Sequence, residues 1–310
     1  MSEVPPVRVG VVGAGAFGRV HMAAYQRAAG AHLTAVADND AGRAGAAARD
    51  HGAEPFTDAV ALLDSGLVDA ISVVSPGPTH VAIATEAGRR GIGVLLEKPV
   101  ALTLADAVLL RSVAAESVLT PAHVLRFADP YIELRRRVRA GEFGQVLGIV
   151  ADRHRTQDHR TFFGDVGLPL MTTVHDIDLA IWLTGSTPAS VRARTGRRGA
   201  YPVDAAITAA VGLTDGSFWT FNTSWLLHDD QPAVPDRFQL FGTLGTATVS
   251  VEPADDEVFS DAMDAQIAHF LDCVTRRSRS EIVPLGDAFT GIALAEAMAS
   301  SVANDAEVAL

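Results

Sequence analysis

The 310-residue chain is long enough for two domains, each with its own core, and its 48% hydrophobic and 20% charged residues are those of a globular protein. A formal charge of −12 argues against a nucleic-acid surface, which needs clustered cations, and no apolar run approaches the ~18 residues of a membrane span. The single cysteine, Cys273, cannot form an internal disulfide, and the opening MSEVPP has neither a basic stretch nor an apolar run, so a reducing, cytoplasmic setting is expected.

In chain order, the apolar run VRVGVV (7–12) predicts a strand, followed at once by GAGAFG and a helix from Ala16 to about Ala29. HLTAVAD (32–38) predicts a second strand and Ala41–Arg49 a second helix. The alternation continues through TDAVALLDSG (helix), DAISVVS (strand), THVAIATEAGRRG (helix), IGVLLEKP (strand), Thr103–Glu116 (helix) and LTPAHVLRF, a final strand. Nearly all-apolar strands alternating with helices imply a parallel sheet covered on both faces. After about residue 125 the rhythm changes. A helix over Pro130–Ala140 ends at Gly141, and longer strands follow in FGQVLGIVADRHR, SVRARTG, ITAAVGLTDGSFWTFNTSW, RFQLFG and TATVSVE. Two-residue alternation, with a hairpin at Asp215-Gly216, predicts an open, mostly antiparallel sheet. Helix Asp261–Arg276 carries Ile267, Phe270, Leu271 and Val274 at core spacing, and a last helix spans about 285–301. The expected architecture is an α/β domain with that parallel sheet over 1–125 and an α/β domain with the open sheet over 126–310, the last helix packing back on the first domain.

Gly13-x-Gly15-x-x-Gly18 lies between a strand and a helix. The first glycine permits the tight turn, the second lets backbone approach a pyrophosphate, and the third allows close helix–strand packing. Ala16 and Phe17 open the helix, whose N-terminal N–H groups suit phosphate. Asp38 ends the next strand 20 positions after Gly18, where a carboxylate accepts from a ribose 2′-OH and repels a 2′-phosphate. These features predict a Rossmann fold that binds NAD in preference to NADP, although Arg43 nearby complicates the charge argument. A second signal is compositional. Lys98 is the chain's only lysine; the other 24 of its 25 basic residues are arginine. Arginine cannot release a proton near neutral pH, whereas a partly buried lysine can. Lys98 stands in Glu97-Lys98-Pro99, directly after a buried strand whose C-terminal end faces the cofactor crevice.

With the glycine turn, the segments GVVGAGAFGRVH, AVADND, VVSPGPTH, LLEKPVALT, RFADP, GEFGQV, HDIDLAIWLTG and HFLDCV…VPLGDAFTGIALAEAMASS resemble, in order and spacing, the Gfo/Idh/MocA family of dehydrogenases over nearly the whole chain. The resemblance implies that Ser75 and Pro76 border the nicotinamide, with Glu97 beside them. It implies that Lys98 meets the reacting hydroxyl or carbonyl and that the peptide bond before Pro99 is cis. It makes His175 a partner acid/base and His80 a structural residue. Arg126 is placed to reach cofactor or substrate, with a strand-end surface arginine as its other reading, and Arg153 and Thr172 are substrate-side candidates. Family members commonly carry an aspartate four residues before the histidine; here Met171 stands there, which puts a simple polyol or sugar substrate in doubt.

Arg153-His154-Arg155, with His159 and Arg160, concentrates positive charge that suits a phosphate or carboxylate, or else lies on a solvated surface. His228-Asp229-Asp230 is read as a loop, since adjacent residues do not easily converge on one ion, and no metal is expected. The reading is an NAD(P)-dependent oxidoreductase acting on a hydroxyl/carbonyl pair of a sugar, cyclitol or related small molecule, as a homodimer or homotetramer. Two alternatives remain open: a cofactor-binding sensor without turnover, and a lyase or glycoside-cleaving enzyme with transient hydride transfer.

Overall fold

The computed structural model describes residues 5–163, 165–196, 205–228, 230–252 and 256–310. The chain divides into two compact units: Met1–Phe127 with Ser260–Ala288, and Ala128–Phe259 with Phe289–Leu310.

The first unit alternates β1 (Val7–Val12), α1 (Ala16–Arg27), β2 (Ala31–Ala37), α2 (Ala41–His51), β3 (Glu54–Phe56), α3 (Ala59–Asp64), β4 (Ala70–Val73), α4 (His80–Arg89), β5 (Gly93–Leu96), α5 (Leu104–Glu116) and β6 (Leu119–Pro121). All six strands are parallel, in the order β3-β2-β1-β4-β5-β6. The order reverses between β1 and β4, which is where an open α/β sheet presents its ligand crevice. Val9, Val11, Ile71, Val73, Val94, Leu95 and Leu96 are fully buried, as strands covered on both faces require. LTPAHVLRF is a strand only over its first three residues. Pro121 has no N–H to give to a ladder, and β6 is an edge strand; a 3₁₀ turn, Val124–Phe127, follows.

The second unit holds α6 (Asp129–Arg139), β7 (Val146–Thr156), α7 (Asp158–Phe163), α8 (Val174–Thr184), β8 (Pro188–Thr195), β9 (Ala206–Leu213), β10 (Phe218–Leu227), β11 (Asp236–Gly242) and β12 (Thr246–Val251). Helices α9 (Asp256–Arg276) and α10 (Leu285–Asn304) follow, then β13 (Val308–Ala309). The sheet runs β12-β11-β7-β10-β9-β8-β13 and is antiparallel except where β7 pairs with β10. The β9–β10 hairpin turns at Gly216 (φ 83°), a conformation that suits glycine. Alternate residues face the core: Ile149, Ala151 and Arg153 on β7, and Trp219, Phe221, Thr223 and Trp225 on β10.

The final helix differs from the sequence expectation. From Phe289 onward it belongs with the second sheet: Gly291 lies against Val174 and Ile177, and Ser301 Oγ accepts the Ala193 N–H of β8 at 2.9 Å. The segment that rejoins the first unit is Ser260–Ala288 instead. Arg27 of α1 pairs with Asp264 of α9 there, and Val274 packs over Gly93 of β5.

Candidate active site

Gly13 takes φ 105° and donates its N–H to Ala37 O at 2.8 Å, so the chain turns sharply off the end of β1. A side chain there is doubly excluded, because a Cβ would lie 2.6 Å from Val74 O. Gly18 is packed so closely that a Cβ would come within 1.9 Å of Gly13 O. Gly15 is the opposite case. A Cβ would meet nothing within 4 Å, and no side chain caps the start of α1, where Ala16 and Phe17 are exposed. A tight turn, an open approach and uncapped helix N–H groups fit a dinucleotide pyrophosphate. Asp38 completes this edge: its Oδ2 accepts the Ala14 N–H at 2.8 Å, and its Oδ1 accepts from Asp40 N and Arg43 Nη2, each at 2.9 Å. Burial works to raise its carboxyl, but Arg43 and the two amides outweigh that and hold it below the ordinary aspartate value. The carboxylate and its interactions therefore persist above the ordinary range and are lost only as pH falls through the lowered value. Arg43 is thus a partner of Asp38.

Lys98 follows β5, half-buried, and its bond to Pro99 is cis. Its main chain is tied on both sides. Glu97 Oε2 accepts the Lys98 N–H at 3.0 Å, while Pro99 O lies 2.8 Å from His80 Nδ1. The other ring nitrogen of His80 is 2.7 Å from Ser75 O, so one buried ring links the Ser75–Pro76 loop to the segment after Lys98. Ser75 Oγ pairs with Thr79 at 2.6 Å, and Pro76 is exposed. Glu97, expected beside the cofactor, turns inward: it is 5% exposed, and its Oε1 lies 3.1 Å from His21 Nε2. Its interaction is with Lys98's own backbone and with the core.

In the second unit a π-helical turn, Pro169–Thr173, runs directly into α8. Such turns are uncommon and concentrate at functional sites. Met171 and His175 are half-buried, while nearly every neighbour from Thr172 to Leu183 is buried. Thr172 is not placed as a substrate contact. Its hydroxyl accepts the Trp225 indole N–H at 2.8 Å in the core.

Arg153 is likewise no anion site. It is 3% exposed, and its guanidinium forms a two-pronged pair with Asp176 at 2.9 and 2.8 Å and another bond to Asp236. Arg155 donates to both oxygens of Asp236, each at 2.7 Å, sharing Oδ2 with Arg153. Two guanidiniums against two carboxylates leave the cluster neutral. Burial alone would lower the Arg153 value, but Asp176 and Asp236 push it up, so the arginine stays charged. The cluster fixes the first turn of α8, and so the backbone of His175, to β7. His154 pairs with Ser224 at 2.8 Å and His159 with Asp158 at 3.3 Å. Arg126 meets neither earlier reading: its side chain is fully buried in the first unit and holds Ile282 O at 2.7 Å and Asp287 at 2.9 Å. Asp229 lies outside the described residues, and among those described no cluster of three or more His, Cys, Asp or Glu could hold a metal ion. No helix of the described residues is long and apolar enough to cross a membrane.

Residues 7–122 match the model of an oxidoreductase family with an NAD-binding Rossmann fold, and residues 131–248 match the Gfo/Idh/MocA C-terminal domain. The chain belongs to the Gfo/Idh/MocA family. Residues 7–122, within its first unit, are that family's NAD-binding domain. Among relatives, an inositol 2-dehydrogenase of Saccharopolyspora erythraea is 37% identical over 199 residues, 62% of this chain and 58% of that protein. A UDP-N-acetylglucosamine 3-dehydrogenase of Acidithiobacillus ferrooxidans is 38% identical over 60% of this chain and 57% of its own length. The matched stretch therefore spans under two thirds of these relatives. The fold extends further: the crystal structure of scyllo-inositol dehydrogenase from Lactobacillus casei with bound NAD(H) and scyllo-inositol superimposes with a TM-score of 0.88 at 21% identity. That match covers 98% of this chain and 99% of the other.

Three residues that the motifs did not single out form a buried chain leading to Glu97: His21 meets its carboxylate, Ser72 meets His21, and Tyr25 meets Ser72. The signal was present. His21 and Tyr25 are four apart on the buried face of α1, and Ser72 is the only polar residue of the strand Ala70–Val73.

Proposed function

We propose that this protein oxidises or reduces a CH–OH carbon of a cyclitol, sugar or related small molecule with NAD, and that Lys98 exchanges the hydroxyl proton. The observation that carries this reading is the placing of the chain's only lysine. It stands half-buried at the C-terminal end of a strand of the NAD-binding sheet, with its backbone tied on both sides. When bound, NAD supplies the hydride donor or acceptor. A lysine ammonium gives up its proton when desolvated, and it can polarise a carbonyl in the reverse direction. His175 is the alternate acid/base in this reading. Association of like chains through the open sheet of the second unit, in a cytoplasmic setting, belongs to the same proposal.

Cofactor choice follows from Asp38. NAD(H) is expected to bind more tightly than NADP(H), by roughly 10–100-fold, the worth of hydrogen bonds to a charged acceptor. Asp38→Ala should narrow that gap, and fluorescence titration with both cofactors measures it. Equal or tighter binding of NADPH by the unmodified protein contradicts the assignment.

Met171 governs the substrate class. It has no proton to exchange and its thioether accepts only weakly from a hydroxyl, so a simple inositol is expected to be turned over slowly. Met171→Asp should raise kcat/KM on myo-inositol by roughly 10-fold or more, since a carboxylate–hydroxyl bond is worth about 1.5–3 kcal/mol. Steady-state assays of both proteins on myo-inositol decide the point. Fast turnover of myo-inositol by the unmodified protein shows that the methionine does not restrict the substrate.

A further inference from the structure

We propose that Glu97 is a positioning residue for Lys98, oriented by a buried chain of hydrogen bonds, Tyr25–Ser72–His21–Glu97, that runs in one direction only. The inference rests on the role given to Lys98 above.

The chain is fully enclosed. His21 and Ser72 are 0% exposed, and Tyr25 is 1% exposed. Tyr25 OH lies 2.7 Å from Ser72 Oγ, which lies 3.1 Å from His21 Nδ1; His21 Nε2 lies 3.1 Å from Glu97 Oε1. One end of the chain is fixed in direction, because the Lys98 amide can only donate and Glu97 Oε2 must accept it. One arrangement of hydrogens satisfies every member. Tyr25 donates to Ser72, Ser72 to His21 Nδ1, and His21 Nε2–H to an ionised Glu97. Placing a hydrogen on Nδ1 instead, in a neutral or a charged ring, makes Ser72 Oγ an acceptor from the ring and leaves one of the two hydroxyl hydrogens, that of Ser72 or that of Tyr25, without an acceptor in the chain. Burial pushes the Tyr25 phenol up, so that hydrogen stays on. Unsatisfied buried donors are expensive, and half-satisfied networks more so.

What this arrangement does follows from its ends. Glu97 has both oxygens assigned, one to the core and one to the Lys98 peptide. With His80 gripping the Pro99 carbonyl, the backbone on both sides of Lys98 is held by buried groups. Phe17, in the first turn of α1, meets the His21 ring edge-on with centroids 5.5 Å apart. The helix that would face the dinucleotide and the lysine beyond β5 therefore share one polar core.

The test uses two signals that need no turnover. Long-range ¹H–¹⁵N NMR of the full chain reads the His21 tautomer, and selective ¹³C-lysine labelling gives a single side-chain resonance, because Lys98 is the only lysine. The unmodified protein should show His21 as the Nε2–H tautomer. In Glu97→Gln the amide oxygen keeps the Lys98 N–H, so its NH₂ faces His21 and the ring must switch to Nδ1–H. The Lys98 resonance should move with it, and kcat should fall by roughly 10–100-fold with the NAD(H) Kd changed less than about threefold, as a misplaced catalytic group predicts. Ser72→Ala, which cuts the chain at its middle, should lower kcat less and leave the Nε2–H tautomer in place. An Nδ1–H tautomer in the unmodified protein overturns the proposal, as does a Glu97→Gln protein whose Lys98 resonance is unmoved. Both are visible even if no cyclitol is oxidised, so they are separable from failure of the proposed reaction.

Discussion

Lys98→Met and Lys98→Arg are both expected to fold and to bind NAD(H), yet to lose turnover by roughly 10²–10⁴, the usual worth of general acid–base help. The arginine variant is the sharper of the two. It keeps the charge and much of the length, so it preserves any purely electrostatic anchoring. It cannot give up a proton, and its planar fork does not fit where a compact ammonium does. Cofactor titration separates chemistry from binding, because Gly13, Gly15 and Asp38 are untouched by either change. Near-normal turnover by Lys98→Arg on the preferred substrate reduces Lys98 to an electrostatic anchor and moves the proton to His175 or to water.

The largest effect on stability is expected from Arg153→Met. It leaves Asp176 and Asp236 buried with only Arg155 to answer two carboxylates. Breaking a buried pair by removing one partner costs about 3–5 kcal/mol. For a unit of this size that lowers Tm by roughly 10 °C. Arg153→Met combined with Asp176→Leu restores the balance of charge, one arginine facing one aspartate, and should recover most of the loss. Thermal unfolding of the three proteins measures this directly. NAD(H) affinity should hold in all of them, since the dinucleotide residues are in the first unit. An unchanged Tm for Arg153→Met contradicts the account of this cluster.

The Arg153 cluster also shows where the sequence stops being informative. The parallel sheet, the glycine turn and the positions of Asp38 and Lys98 at strand ends were legible because each depends on neighbours in the chain: apolar runs at strand length, glycines at fixed spacing, one lysine directly after a buried strand. Arg153 was read as surface or ligand charge because its partners are 23 and 83 residues away. Strand parity held a clue, since Ile149, Ala151 and Arg153 alternate onto the same buried face of β7. Arg126 was opaque for the same reason, as the carbonyl it holds is 156 residues distant. Glu97 looked like a strand-end carboxylate near a cofactor. With Gly93–Leu96 buried throughout, a side chain at that end can also find a partner in the layer beneath, and α1 supplies one in His21. The exchange of the last two helices was not legible, because both carry apolar residues at helical spacing and it is distant contacts, Gly291 against α8 and Ser301 and β13 against β8, that assign α10 to the second sheet.

The most direct test of the proposed reaction is net NADH formation when the unmodified protein and NAD are mixed with a panel of cyclitols and sugars, with product followed in parallel. The account predicts that NADH and a ketone product appear in equal amounts for at least one substrate, and that Lys98→Met slows both by roughly 10²–10⁴. Product without net NADH would mean a lyase or glycoside-cleaving reaction with transient hydride transfer. Tight NAD binding with neither signal across the panel would mean a cofactor sensor, and either result contradicts the dehydrogenase reading.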